Sequence, residues 1–219
     1  MQKQELRLLK RVSQIFNITV TKRRLLRASL LFALLIGGNH LFAQSGEVNL
    51  LDNINPSNPT SKYWQKTTSS VYPITVAVPA GVLLAGYIHH DKELQQHGWK
   101  IVGAVAVNTA ITQGLKFAIN RPRPYTKYPT IINPYDNAET GNSFPSGHTS
   151  TAFSLAASLS IECKKWYVVV PAYLYATSVG YSRLYLGEHY PTDVLAGAVI
   201  GIGSAYLSNW LQHKFFKIK

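Results

Sequence analysis

Val71-Tyr72-Pro73-Ile74-Thr75-Val76-Ala77-Val78-Pro79-Ala80-Gly81-Val82-Leu83-Leu84-Ala85-Gly86-Tyr87-Ile88 runs for eighteen residues without a charge. A bilayer core of about 30 Å takes roughly 20 apolar residues of helix at about 1.5 Å each. The stretch reads as a membrane-spanning helix. Four more apolar runs follow: Ile101 to Leu115, Thr149 to Ile161, Trp166 to Ser182, and Val194 to Leu211. Lys116, Glu162 with Lys164 and Lys165, Arg183, and a basic tail with Lys214, Lys217 and Lys219 stop them in turn. Several are short for a span, and polar helix ends extend them. Buried helices of a soluble bundle are the alternative. The expected fold class is all-α, a bundle of five to six membrane-spanning helices.

Outside these runs the chain is polar. Stretches 1–27, 44–70 and 120–147 bring the mean hydropathy of the 219 residues close to zero. The net charge of +12 suits a membrane surface or an anionic substrate. Its basic residues sit in short clusters between apolar runs, with no basic face or nucleic-acid motif, so no nucleic acid partner is expected. Cys163 is the only cysteine, which excludes an intrachain disulfide and a thiolate metal site.

Upstream of Val71 lie three segments. Residues 1–27 are basic, with Leu6, Leu9, Val12 and Phe16 at helical spacing, and fit either a membrane-surface arm or a solvated face. The short apolar run Ala28 to Gly38, followed by Ala43, resembles a signal peptide; a retained anchor is the alternative, since Leu41 departs from the small-x-small pattern. Residues 44–70 read as a polar external segment punctuated by Asn55-Pro56 and Asn58-Pro59, with Tyr63 and Trp64 suited to the membrane interface. The division expected is 1–43 as arm plus signal or anchor, 44–70 as external segment, and 71–219 as the membrane domain.

Charge bias orients the bundle. With Lys22 to Arg27, Lys92 and Lys100, Lys164 and Lys165, and the tail all cytoplasmic, the alternation closes. Segments 120–147 and 183–193 then share the external side. Arg121, Arg123, Lys127 and Arg183 fall there against the charge rule and need another reason to be basic.

Those two segments carry three motifs. In Lys116-Phe117-Ala118-Ile119-Asn120-Arg121-Pro122-Arg123-Pro124, Pro122 biases the chain out of helix near Asn120, and the two prolines hold Arg123 extended. Lys116 and Arg123 can then converge on one anion, or snorkel to headgroups, which is reason enough for Arg121. Ser143-Phe144-Pro145-Ser146-Gly147-His148-Thr149 reads as a turn that opens a helix, whose free N–H groups and positive end favour an anion. In Ser182 to Asp193, Gly187 suits a helix C′ position, and Pro191 with Asp193 suits a helix start. His189 has no such structural reason. Asp193, four residues on, can orient one imidazole nitrogen and leave the other free to attack.

Lys-x6-Arg-Pro, Pro-Ser-Gly-His and Ser-Arg-x5-His-x3-Asp in this order resemble the signature of the type 2 phosphatidic acid phosphatase superfamily, which includes lipid phosphate phosphatases, bacterial nonspecific acid phosphatases and vanadium haloperoxidases. The match is complete at Lys116, Arg123, Pro124, Pro145, Ser146, Gly147, His148, Ser182, Arg183, His189 and Asp193. It covers 116–211, extends to 71 by membrane layout, and says nothing of 1–66. The resemblance implies an active site at the external helix ends. His189 would be the nucleophile that forms a phosphohistidine, Asp193 its orienting acid, and His148 the general acid. Lys116, Arg123, Ser146, the Gly147 N–H and Arg183 would hold the phosphoryl oxygens. It implies no metal and no cofactor. The partners would be a membrane lipid phosphate and the bilayer, in a bacterial inner membrane with the site facing the periplasm or exterior. A soluble exported acid phosphatase, a haloperoxidase-like enzyme and a silent headgroup binder are the alternatives.

The remaining candidates read as ordinary. His89, His90, Asp91, Glu93 and His97 read as a solvated loop, and Asp136 and Glu139 as loop acids. Tyr125, Tyr128, Tyr135 and Tyr190 fit either an aromatic belt or the border of a lipid access route.

Overall fold

The computed structural model describes residues 42–135 and 139–216. The basic arm, the signal-like run up to Leu41, Asp136, Lys217 and Lys219 lie outside the described residues. Among the described residues every regular element is a helix. These are α1 (Phe42–Ile54), α2 (Lys62–Ser69), α3 (Val71–Ile88), α4 (Lys92–Ile119), the single turn α5 (Pro124–Lys127), α6 (Gly147–Cys163), α7 (Trp166–Tyr185) and α8 (Pro191–Phe216). The described residues from Gly46 onward pack as one compact unit.

Each apolar run becomes a long helix, and the local signals set the ends. Asp91 caps α4 by accepting from the Glu93 and Leu94 N–H groups at 2.9 and 3.0 Å. Helix α4 therefore starts at Lys92, and Glu93 and His97 belong to it rather than to a loop. It stops at Asn120, which takes the left-handed conformation with φ 47° just before the proline-rich exit. Arg123 is extended, as its flanking prolines require. Gly187 follows α7 with φ +70°, and a Cβ there would lie 2.6 Å from the Asn133 carbonyl oxygen.

Helices α3, α4 with its continuation to Lys127, and α8 are long and apolar enough to cross a membrane. Helix α6 is 17 residues long and rich in Ser and Thr, and α7 carries five tyrosines and Arg183. Both complete the bundle without being as apolar. The bundle is polar inside and apolar outside. Val76, Leu195 and Val199 are each more than 60% exposed, while Asn108, Ser150, Ser154 and Ser204 are buried. That is the distribution expected when the surroundings are lipid.

Helix α6 sits at the centre, packed by α4, α7 and α8. Its serines reach across: Thr112 bonds the Ser150 hydroxyl at 3.0 Å and Asn108 donates to it at 3.3 Å. Against α8 the backbones nearly touch. A Cβ on Gly197 would sit 2.7 Å from the Ser146 carbonyl oxygen, and one on Gly201 would sit 2.2 Å from that of Ser150. Only glycine permits this approach, four residues apart on one face.

Candidate active site

The C-terminal ends of α4 and α7 and the N-terminal ends of α6 and α8 meet at one end of the bundle. The loop between α5 and α6 is tied to α4 there. Asn142 donates to the Lys116 carbonyl at 2.9 Å, while Lys116 Nζ donates to the Asn142 carbonyl at 2.5 Å. The Ser143 N–H donates to the Arg121 carbonyl at 2.7 Å. The Lys116 carbonyl, which also accepts from the Asn120 N–H at 3.0 Å, and the Arg121 carbonyl beyond the helix thus fix the approach to Ser146.

Two guanidiniums form the floor. Arg123 and Arg183 are buried, and both face Glu188, itself fully buried. Arg123 Nη1 donates to Glu188 Oε2 at 2.5 Å, and Arg183 Nη2 lies 3.4 Å from the same oxygen. Arg183 Nη1 donates to the Thr68 hydroxyl of α2 at 2.7 Å. Burial pushes the Glu188 carboxyl above the usual range, with both arginines pulling it back.

Above that floor lies a second carboxylate. Glu139 accepts from Arg183 Nη2 and Arg123 Nη2, both at 3.0 Å, and faces His148 Nδ1 at 3.2 Å. Burial would raise its pKa, but Arg183, His148 and Arg123 outweigh that and hold it down at about 2. Glu139 is therefore not an ordinary loop acid. A carboxylate beside two buried guanidiniums is drawn in by charge, wherever it lies in the chain.

His189 and His148 both lie within reach of these charges. His189 is 1% exposed, and its Nδ1 lies 3.3 Å from the Ser143 hydroxyl and 3.6 Å from Asp193 Oδ2. Ser143 in turn donates to Asp193 Oδ2 at 2.5 Å. Since that bond uses the only hydroxyl proton, His189 Nδ1–H donates to Ser143, and Nε2 keeps a free lone pair. Asp193 reaches His189 through Ser143 rather than by a direct hydrogen bond. Burial, then Arg183, Arg123 and Lys116, hold His189 well below the usual histidine range, so the imidazole is neutral. His148 opens α6, packed against the Tyr72 ring at 4.7 Å.

Asp193 has a second partner. Arg121 Nη1 donates to Oδ1 at 2.6 Å, and its guanidinium lies 3.8 Å over the Tyr190 ring. Its Nη2 donates to Glu47 Oε2 of α1 at 2.8 Å. Glu47 also accepts from the Thr192 N–H at 2.9 Å, and so caps α8 from α1. Arg121 is thus a member of the site rather than a headgroup anchor.

All eight residues singled out for catalysis or phosphate binding lie at this end. Lys116 stands beside Gly147, where a Cβ would be 3.8 Å from its Cε. The Ser146 hydroxyl bonds Thr149 at 2.9 Å, and its N–H donates to the Asp193 carbonyl at 3.1 Å. Sequence reasoning missed the roles of Glu139, Glu188, Ser143, Arg121, Thr68 and Glu47. For Glu188 a signal existed, an acid between Gly187 and His189 in a stretch full of cations. For Thr68 and Glu47 there was none. Among the described residues no group of three or more His, Cys, Asp or Glu side chains could hold a metal ion.

A family model described as the PAP2 superfamily matches residues 97–217. The chain is 31% identical over 125 residues to the lipid A 1-phosphatase of Porphyromonas gingivalis, which takes in 54% of this chain and 25% of that protein. It is 28% identical over 120 residues to the undecaprenyl-diphosphatase of Sulfolobus acidocaldarius, 53% of this chain and 56% of that protein. The chain thus spans between a quarter and just over half of these relatives' lengths. The crystal structure of the first transmembrane PAP2 type phosphatidylglycerolphosphate phosphatase from Bacillus subtilis is similar in fold, with a TM-score of 0.63 and 23% identity, covering 89% of this chain and 98% of that one.

Proposed function

This chain belongs to the PAP2 superfamily, and we propose on that footing that it is an integral membrane phosphatase that removes a terminal phosphate from a lipid phosphate or diphosphate. The observation that carries the reading is the pair of histidines beside a floor of buried cations, with the lone pair of His189 Nε2 uncommitted. Phosphoryl transfer needs positioning and positive charge around the equatorial oxygens, and Arg123, Arg183, Lys116 and the N-terminus of α6 supply both. In the first step the lone pair of His189 Nε2 forms the N–P bond as the bond from phosphorus to the lipid oxygen breaks. His148, protonated beside the bound phosphate dianion, gives that oxygen its proton. In the second step water attacks phosphorus, His148 takes the water's proton, and the N–P bond electrons return to His189. Ser143 and Asp193 hold the imidazole and balance its charge throughout.

The substrates that fit are undecaprenyl diphosphate, phosphatidylglycerol phosphate and a lipid A phosphate. All share the terminal phosphate that this site addresses. We place the long helices across a bacterial inner membrane, with the site at the periplasmic face, because the Lys164–Lys165 turn and Lys92 lie at the other end. The test is phosphate release by detergent-purified protein from these three lipids and phosphatidic acid, with His189→Ala as the background. Release from one lipid names the substrate. No release from any lipid by folded protein would overturn the reading. Activity should survive EDTA, since the fixed cations do the work of a metal, and a strict need for a divalent ion would contradict the mechanism.

A further inference from the structure

The cradle that this reading gives to a phosphoryl group already holds a carboxylate. Glu139 places one oxygen 3.0 Å from Arg183 Nη2 and 3.2 Å from His148 Nδ1, and the other 3.0 Å from Arg123 Nη2. The two guanidinium nitrogens are donors that equatorial phosphoryl oxygens would use, and His148 is the donor that would meet the leaving oxygen; a carboxylate and a phosphate suit the same guanidinium fork.

The two acids of the site differ in how firmly they are held. Glu188 is fully buried. Its Oε2 is taken by Arg123 and its Oε1 by the Glu139 N–H at 3.0 Å. It is a permanent counter-ion. The Glu139 side chain is 36% exposed and so has solvent to turn into. Its backbone is pinned independently, through that N–H and through a carbonyl that accepts from the Tyr125 hydroxyl. The carboxylate can leave the cradle while the main chain stays. Charge supports the exchange. With Glu139 in place, three cations face two acids. With it turned out they face Glu188 alone, and the surplus matches a doubly charged phosphoryl group.

We propose that the Glu139 carboxylate is a built-in occupant of the phosphoryl subsite, one that every incoming phosphate must displace. This rests on the phosphatase reading of the site. Glu139 then sets the affinity that any ligand of the cradle must exceed. The displacement penalty falls equally on every ligand that uses the cradle. A lipid offsets it with the contacts of its tail and headgroup, and free inorganic phosphate has nothing else to offer. The returning carboxylate also helps expel the phosphate product.

The test is the affinity of inorganic phosphate and orthovanadate for the full-length protein in detergent. It is read by calorimetry and by competition with lipid hydrolysis, in wild type, Glu139→Gln and Glu139→Asp. Glu139→Gln is expected to bind both anions more tightly, by on the order of tenfold, while KM and kcat for lipid fall together because phosphate leaves slowly. The gain should persist at high salt, where a purely through-space charge effect is screened. Glu139→Asp keeps the charge but falls one methylene short, and should lie between the two. Thermal melts confirm that each variant is folded. Unchanged or weaker anion binding in Glu139→Gln, with lipid hydrolysis intact in wild type, overturns the proposal and leaves the phosphatase reading standing. A gain that vanishes at high salt also overturns it. Folded protein that binds neither anion in any variant overturns the phosphatase reading itself.

Discussion

Both ends of the bundle gather histidine, acid and base, yet they are built differently. At the site end Arg183, Glu188 and Asp193 are fully buried, and Arg123 and His189 nearly so. At the far end His97 bonds Glu162, Lys100 lies 3.3 Å from the same carboxylate, and Glu93 stands 84% exposed beside them. An open pocket of about 640 Å³ adjoins that cluster. The difference lies in what covers each end. Glu47 of α1, Thr68 of α2 and the tied loop before α6 close over the site, whereas the described far end has only helix termini. Exposed ion pairs are worth about 0–1 kcal/mol, while breaking a buried one costs about 3–5 kcal/mol. Similar residues therefore form a closed site at one end and, at the other, a cluster whose Glu162 is covered but which opens to solvent through His97 and Glu93.

The sharpest break in this contrast is His189→Ala, which should bring phosphate release to background with the fold intact by thermal melt. Retained turnover would remove the nucleophile. Glu188→Ala comes next. It leaves two buried guanidiniums facing each other and should cost about 3–5 kcal/mol in unfolding free energy. A loss under about 1 kcal/mol would show the site end to be no more demanding than the far end. Arg121→Gln frees one Asp193 oxygen and should lower kcat by about tenfold, with KM little changed and part of the loss restored by Arg121→Lys. The pH response sharpens the contrast further. His189 is held neutral with its folded pKa depressed, so its contribution to stability is present above the ordinary histidine value and is lost as pH falls below it. The acid limb of activity should lie below that value too, and a limb at or above about 6.5 would contradict it. Glu93→Gln at the far end, where the side chain is 84% exposed, should change kcat not at all and stability by about 1 kcal/mol at most.

Much of this was legible in the chain. The five apolar runs gave the five long helices, and Pro122, Gly187 and Pro191 marked their ends. Lys116, Arg123, His148, Arg183, His189 and Asp193 could be grouped because three motifs in order resemble the superfamily signature and fall at or beside helix ends that share a side. What lay hidden is long-range pairing of polar residues. Thr68 meets Arg183 from 115 positions away, and Glu47 meets Thr192 from 145. No periodicity encodes such a meeting. Residues 44–70 lack an apolar run, so α1 and α2 gave no hint that they close the site. Glu139 looked like solvent-facing charge because sequence shows its polarity and not the two guanidiniums waiting for it.

The bare contact of Gly197 and Gly201 with α6 has a consequence for heat. His148 starts the helix on one side of that contact, and Asp193 starts the helix on the other, with Ser146 bonded across it. On the α8 side no side chain lies between to yield. A rise in temperature cannot let His148 and Asp193 drift apart by degrees. They keep their distance until the two helices part. Loss of activity on warming should then follow the same curve as loss of helix, with no intermediate range in which the protein is folded and idle.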